Sequence, residues 1–252
     1  MKGSLSVRNR SKPAAVHVGD RLADLLHRVH DEGAVGDDRL VQVSVPERTF
    51  ATLEQQLDAG AAVQPAMAAL FDAGSADRPH EDWGRLRALD YAAGAAFVRR
   101  WLDQVLADDP PPPLADGLWF GLFTAVYEGE EARADLYVHG SRFDPVDGDW
   151  ACTAIWKPKG SYAHCALLRD VHRIVYPVGS RGLGVDAEYP AVLGFAALAV
   201  AAWARAAAAG NAPVARHHRE LVVGFDSGDV VHVGGLDATG FRRPRTGLTS
   251  VS

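Results

Sequence analysis

Cysteine is scarce in this chain. Cys152 and Cys165 are the only two in 252 residues. Two cysteines cannot form a disulfide framework in a chain this long, so a reducing, cytoplasmic setting is expected. No CxxC pair is present, which removes the usual sequence sign of a zinc finger or ribbon. A basic excess is also missing. The formal net charge is −6, and a general nucleic-acid binder needs a basic surface to displace counterions. Lys2, Arg8, Arg10 and Lys12 carry +4 in a stretch without acids, so the rest of the chain stands at −10. The N-terminus lacks the continuous apolar stretch of a secretory signal. No Walker motif, dinucleotide fingerprint, nucleophile elbow or internal repeat is present, and no cofactor is expected.

What is present is one long apolar stretch, Tyr189 to Ala209, with Arg205 as its first charge. A helix apolar on every side has no water face and belongs inside a core. Pro190 fits its first turn, where a missing N–H costs nothing, and Gly210-Asn211 followed by Pro213 stops it. The uninterrupted part, Pro190 to Ala204, falls short of the ~20 residues of a membrane span. A buried central helix is expected, with strands packed on it.

Around that helix, local patterns predict the other elements. Residues 1–15 are polar and basic and read as a disordered tail. Asp20 caps a short helix to about Glu32, with His27 and His30 on a polar face, and Leu40 to Val45 alternates as a strand. Helices follow at Pro46–Leu57 and Ala61–Phe71, then a turn-rich break from Asp72 to His80. Leu86, Leu89, Ala93, Phe97, Trp101 and Val105 recur at helical spacing, which predicts one amphipathic helix from Glu81 to about Ala107. Pro110 to Pro113 stop it and form a stiff, extended connector. The chain is therefore divided into a helical part at 16–109, a linker at 110–116, an α+β part at 117–242 and a tail at 243–252. Strands are expected from Leu118 to Glu128 and Ala132 to His139, forming a hairpin, with a third at Ala151–Trp156. A helix from Tyr162 to Tyr176, a Gly-rich loop, the central helix and a terminal hairpin around Asp226-Ser227-Gly228 complete the reading.

Several groupings bear on chemistry. Cys152, His164, Cys165 and His172 include both soft metal-ligand types, and Cys152, His164 and Cys165 are the candidates for a Cys/His enzyme site. Their spacing matches no finger. His164 and Cys165 are adjacent and point about 100° apart on a helix. Buried thiols and surface imidazoles are the simpler account, and no metal is expected. Gly179 to Gly184 exposes backbone N–H groups beside Arg181, which would suit an anion or nucleotide sensor. Asp144, Asp147 and Asp149 crowd one loop beside Trp150 without the spacing of a calcium loop. An aromatic anchor among carboxylates suits a basic protein partner, so these four residues are the candidate binding site.

Asp135-Leu-Tyr137-Val-His-Gly140-Ser141, Phe143-Asp144-Pro145, Asp149-Trp150-Ala-Cys152 and the run from Val223 to Leu236 resemble segments of small uncharacterised bacterial proteins. The abundance of Arg over Lys fits a GC-rich, actinobacterial coding sequence. Some of those proteins are similar to immunity proteins of polymorphic toxin systems, which bind a toxin. The resemblance spans about 117–240 and leaves the helical first hundred residues uncovered. It implies an α+β fold and a binding function. The expectation is an α+β protein: a helical N-terminal part and a mostly antiparallel sheet packed on two helices, one of them central. Its expected role is that of a non-enzymatic protein-binding module, immunity-like or regulatory.

Overall fold

The structure, a computed structural model, describes residues 47–125, 132–146, 150–178, 182–226 and 229–244. The tail, the helix at 20–32 and the strand at 40–45 expected from the sequence lie outside them.

Helices α1 (Glu47–Ala59) and α2 (Val63–Asp77) come first. α2 runs six residues beyond Phe71, into the stretch read as a break. Gly74 does not interrupt it; the Trp83 ring lies directly against that glycine, where a Cβ would clash. The single long helix expected from Glu81 is two, α3 (Asp82–Arg87) and α4 (Tyr91–Asp108). Asp90 divides them. Its Oδ1 accepts the Ala93 N–H at 2.8 Å, an N-cap that competes with continuing the preceding helix.

After the prolines comes a five-stranded sheet of β1 (Gly117–Ala125), β2 (Arg133–Ser141), β3 (Arg219–Phe225), β4 (Val230–Asp237) and β5 (Gly240–Arg242). The spatial order is β2-β1-β3-β4-β5. All neighbours are antiparallel except β1 and β3, which run parallel at the centre. The architecture is therefore α+β with a mostly antiparallel sheet. The expected third strand at Ala151–Trp156 is instead a 3-10 turn, Trp150–Cys152, and a single bridge from Trp156 to Gly140. Residues 156–163 run along the outer edge of β2 and accept the N–H groups of Val138 and Gly140. That blocks one sheet edge from pairing with another chain.

Helix α5 (Ala166–Val175) starts later than expected because Tyr162 bridges Tyr137 in extended form and His164 is left-handed, at φ 47°. Helix α6 (Val185–Ala209) is the central one, and it begins more than a turn before Tyr189. Pro190 is thus inside the helix rather than at its first turn. A π turn at Tyr189–Leu193 accommodates it, with the Gly194 N–H reaching back five residues to the Tyr189 carbonyl. The wider turn takes up the missing donor and the ring bulk. By length and composition α6 could cross a membrane, but 78% of its most apolar window is buried within the protein. Asn211, at φ 51°, makes the left-handed stop.

The helices cover one face of the sheet. Leu118, Phe120 and Leu122 of β1, Leu136 and Val138 of β2, and Leu221 and Val223 of β3 join α6 in one apolar cluster. Leu53, Leu70 and Leu102 from the first helices belong to the same cluster. Two arginines tie the layers. Arg219 is 1% exposed and donates to the carbonyls of Pro111 at 3.1 Å, Pro112 at 2.9 Å and Ala115. Arg243, read as the start of a tail, pairs with Glu54 and with Asp58 at 2.8 Å on α1.

Candidate functional site

Strand alternation sends every second side chain to the face on which, among the described residues, no helix packs. From β1 these are Gly117, Trp119, Gly121 and Phe123; from β2 Arg133, Asp135, Tyr137, His139 and Ser141; from β3 Glu220, Val222 and Gly224. The pairing register lines them up in rows. His139, Trp119, Val222 and His232 form one row, and Tyr162, Tyr137, Gly121, Gly224 and Val230 the next.

The two central glycines leave a trough that larger rings fill from the sides. Tyr137 lies over Gly121, where an added Cβ would meet its ring, and Trp119 lies over Gly224. Trp119 Nε1–H donates to the Tyr137 hydroxyl at 3.2 Å, and that hydroxyl donates to Asp226 Oδ1 at 2.6 Å. Burial and the Asp226 carboxylate push the Tyr137 phenol well above its ordinary value, so it stays a donor. Phe123, Tyr137 and Tyr162 form a triangle, with ring centroids separated by 5.7 to 5.8 Å on each side. Tyr162 is 50% exposed and Val230 on the same face 46%.

Trp150 belongs to this face. Its ring sits over Gly117 and packs edge-on against Trp119 at 6.3 Å and Phe143 at 5.1 Å. It is half-buried. Asp144 is exposed, and its Oδ1 accepts the Val146 N–H at 2.9 Å, which makes it the first residue of a tight turn. Asp147 and Asp149 lie outside the described residues. Phe143 also packs on His232, and Glu220 is shared by His218 and His232, with 2.7 Å to each Nε2. These two contacts hold the Glu220 carboxyl below its ordinary value, the His232 hydrogen bond most.

The Cys/His candidates separate. Cys165 is 2% exposed at the start of α5, and burial raises its thiol pKa, away from thiolate chemistry. Cys152 is exposed on the 3-10 turn. His164 instead meets Asp135, with Nδ1 at 3.1 Å from Oδ2, and the carboxylate is fully buried with Arg133 beside it. Among the described residues no three His, Cys, Asp or Glu side chains converge to hold a metal ion. The Gly179–Gly184 loop enters the described residues only at Gly182; Gly179, Ser180 and Arg181 lie outside them.

A second titratable group sits on the helix side. Tyr176 donates to Glu188 Oε2 at 2.7 Å, and the His172 ring lies 4.9 Å from the Tyr176 ring. Burial raises the Glu188 carboxyl, with the Tyr176 hydrogen bond opposing it, and burial lowers the His172 imidazole. A raised carboxyl pKa means the fold favours the protonated form. Its stabilisation is present below the ordinary carboxyl value and is lost as pH rises through the raised one. Glu188→Gln keeps an acceptor for Tyr176 and removes that loss. Urea unfolding should show the variant more stable than wild type at pH 8 and equal to it at pH 4. A less stable variant at pH 8 would show that the ionised carboxylate is the form the fold prefers.

A cavity of about 310 Å³ lies elsewhere, between α4 and the end of α6, lined mainly by Leu106, Trp203, Val214 and alanines. Trp203 Nε1–H donates to Asp103 there at 3.1 Å. No protein-family model, curated protein or solved structure matches this chain.

Proposed function

We propose that the protein is a non-enzymatic protein-binding module whose docking surface is the helix-free face of the sheet. The observation that carries this reading is the set of partly exposed rings on that face. Among the described residues no second layer lies over this face, yet it bears the partly exposed rings of Phe123, Tyr137, Phe143, Trp150 and Tyr162, with Trp119 buried beneath them. Aromatic side chains with a polar handle are the residues that anchor protein interfaces. The partner is basic, because the chain outside its first twelve residues stands at −10 and Asp144 and Asp226 flank the rings. Asp147 and Asp149 extend the same acidic loop in the sequence. A toxin neutralised by an immunity-like protein is a partner of this kind, in keeping with the resemblance of residues 117–240.

The tagged full-length protein, used to capture partners in its own host, tests the reading. A stoichiometric protein is expected. Trp150→Ala should weaken its capture by ~2 kcal/mol, and Asp144→Asn should mainly slow association and flatten its salt dependence. Because Trp150 also packs on Trp119 and Phe143, its thermal stability is measured alongside. Capture unchanged in both variants, or a small molecule eluting in place of a protein, would overturn the proposal.

A further inference from the structure

The cavity of about 310 Å³ lies where two helices end side by side. Gly94 packs against the Phe195 ring and, further along both helices, Asp103 accepts the Trp203 N–H, so α4 and α6 run parallel. Their C-termini, Asp108 and Ala209, therefore fall at the same end of the helical layer. A helix C-terminus carries roughly half a negative charge, which basic residues in the last turn offset. Neither α4 nor α6 has one there. Pro110 and Pro111 add to the excess. They occupy the positions whose N–H groups would reach the carbonyls of Leu106 and Ala107, and proline has no N–H. Both of those residues line the cavity.

Asp103 adds a carboxylate to the lining. Among the described residues it has two partners. Trp203 Nε1–H holds Oδ1 at 3.1 Å, and Arg99 Nε stands 3.7 Å from Oδ2. The indole is a neutral donor and leaves the charge in place. The arginine contact is longer than a hydrogen bond and joins two side chains that are each more than half exposed, so it holds little energy. We infer that the cavity binds a small primary amine as its ammonium ion, with the apolar body against Leu106, Trp203 and Val214 and the nitrogen between Asp103 and the helix ends. The volume is at the low end for small-molecule sites, which limits the body to about one ring. A primary ammonium brings three N–H donors to a site whose carboxylate and undonated carbonyls are all acceptors, whereas a quaternary ammonium brings none. The cavity lies away from the helix-free face of the sheet, so this inference does not depend on the docking function.

The test follows the Trp203 indole N–H signal by NMR in the isotopically labelled full chain. Three probes of similar shape are titrated: phenethylammonium, neutral phenethyl alcohol and the anion hydrocinnamate. The amine is expected to shift the signal, and the alcohol to bind roughly tenfold more weakly, the loss of one charge-assisted hydrogen bond. Asp103→Asn should weaken the amine by roughly tenfold and leave the alcohol as it was. Arg99→Gln removes a competing cation and should tighten the amine about twofold. Ala206→Leu places a larger side chain in the cavity wall and should abolish binding of both amine and alcohol, with its melting temperature measured alongside. Where that variant does not fold, Asp103→Asn, at an exposed position, decides. Alcohol binding as tight as the amine's, amine binding unchanged in Asp103→Asn or in a folded Ala206→Leu, or no shift with any probe would overturn the inference. Hydrocinnamate binding best would mark a site for an acid held by Arg99 and would equally overturn it.

Discussion

Leu198→Asp is expected to leave no folded protein. Leu198 is 2% exposed in the middle of α6, and the residues on either side of it are buried as well. α6 packs on α2, α4, β3 and β4, so no side of it at this depth opens to water. An aspartate there must either ionise without a partner or take up a proton at neutral pH, and either choice costs several kcal/mol. Marginal stability does not absorb such a loss. Leu198→Met, which conserves volume and polarity, should cost less than about 1.5 kcal/mol and serves as the control. Far-UV circular dichroism and soluble yield separate the two variants. A folded Leu198→Asp chain with near-wild-type urea resistance would mean that α6 is not interior.

Arg219→Ala is expected to have the next largest effect, about 3 kcal/mol of destabilisation. The guanidinium is buried and holds the carbonyls of Pro111, Pro112 and Ala115, which lead into β1 beside the start of β3. Proline contributes no N–H, so the run cannot join the ladder through its own donors. The arginine side chain supplies donors in their place. Its removal strands those oxygens, which outweighs the relief of no longer burying a cation that among the described residues has no carboxylate in direct contact. Arg219→Lys retains the charge, but a single ammonium cannot span the same carbonyls, so it should recover only part of the loss. The urea midpoint gives the energy. Thermolysin cleavage before Leu114 gives the place, and it should accelerate more than tenfold in Arg219→Ala. An unchanged midpoint would show that the prolines hold their path without the clamp.

The corrections to the sequence reading share one pattern. At each of them a strong local periodicity meets a local group that competes with it. Asp90 is a preferred N-cap inside an otherwise continuous helical repeat, and it splits the repeat into α3 and α4. Gly74 reads as a breaker, but a ring needs its missing Cβ and the helix continues. Tyr162 and His164 precede a run whose apolar spacing is helical, so periodicity alone extends the helix over them. Edge pairing with β2 takes Tyr162 out of it and sets its ring beside Phe123 and Tyr137. A usable signal for the rest was present: Trp119 and Phe123 alternate with Phe120 and Leu122 in β1, so aromatics fall on both faces of one strand.

What the sequence by itself determined is whatever depends on periodicity and on the absence of charge. The interior place of α6 follows from fifteen residues without a polar side. The assignment of Ala134, Leu136 and Val138 to the buried face of β2 follows from strict alternation. Only the tertiary structure decided which strands meet. The parallel pairing of β1 with β3 joins residues about a hundred positions apart, and no local pattern encodes it. That pairing sets Gly121 beside Gly224 and brings the hydroxyl of Tyr137 to Asp226, eighty-nine residues on. It also turns Arg219 toward the prolines. Such contacts are selected by how whole faces bury one another, because a side chain's period tells which way it points but not what it will touch.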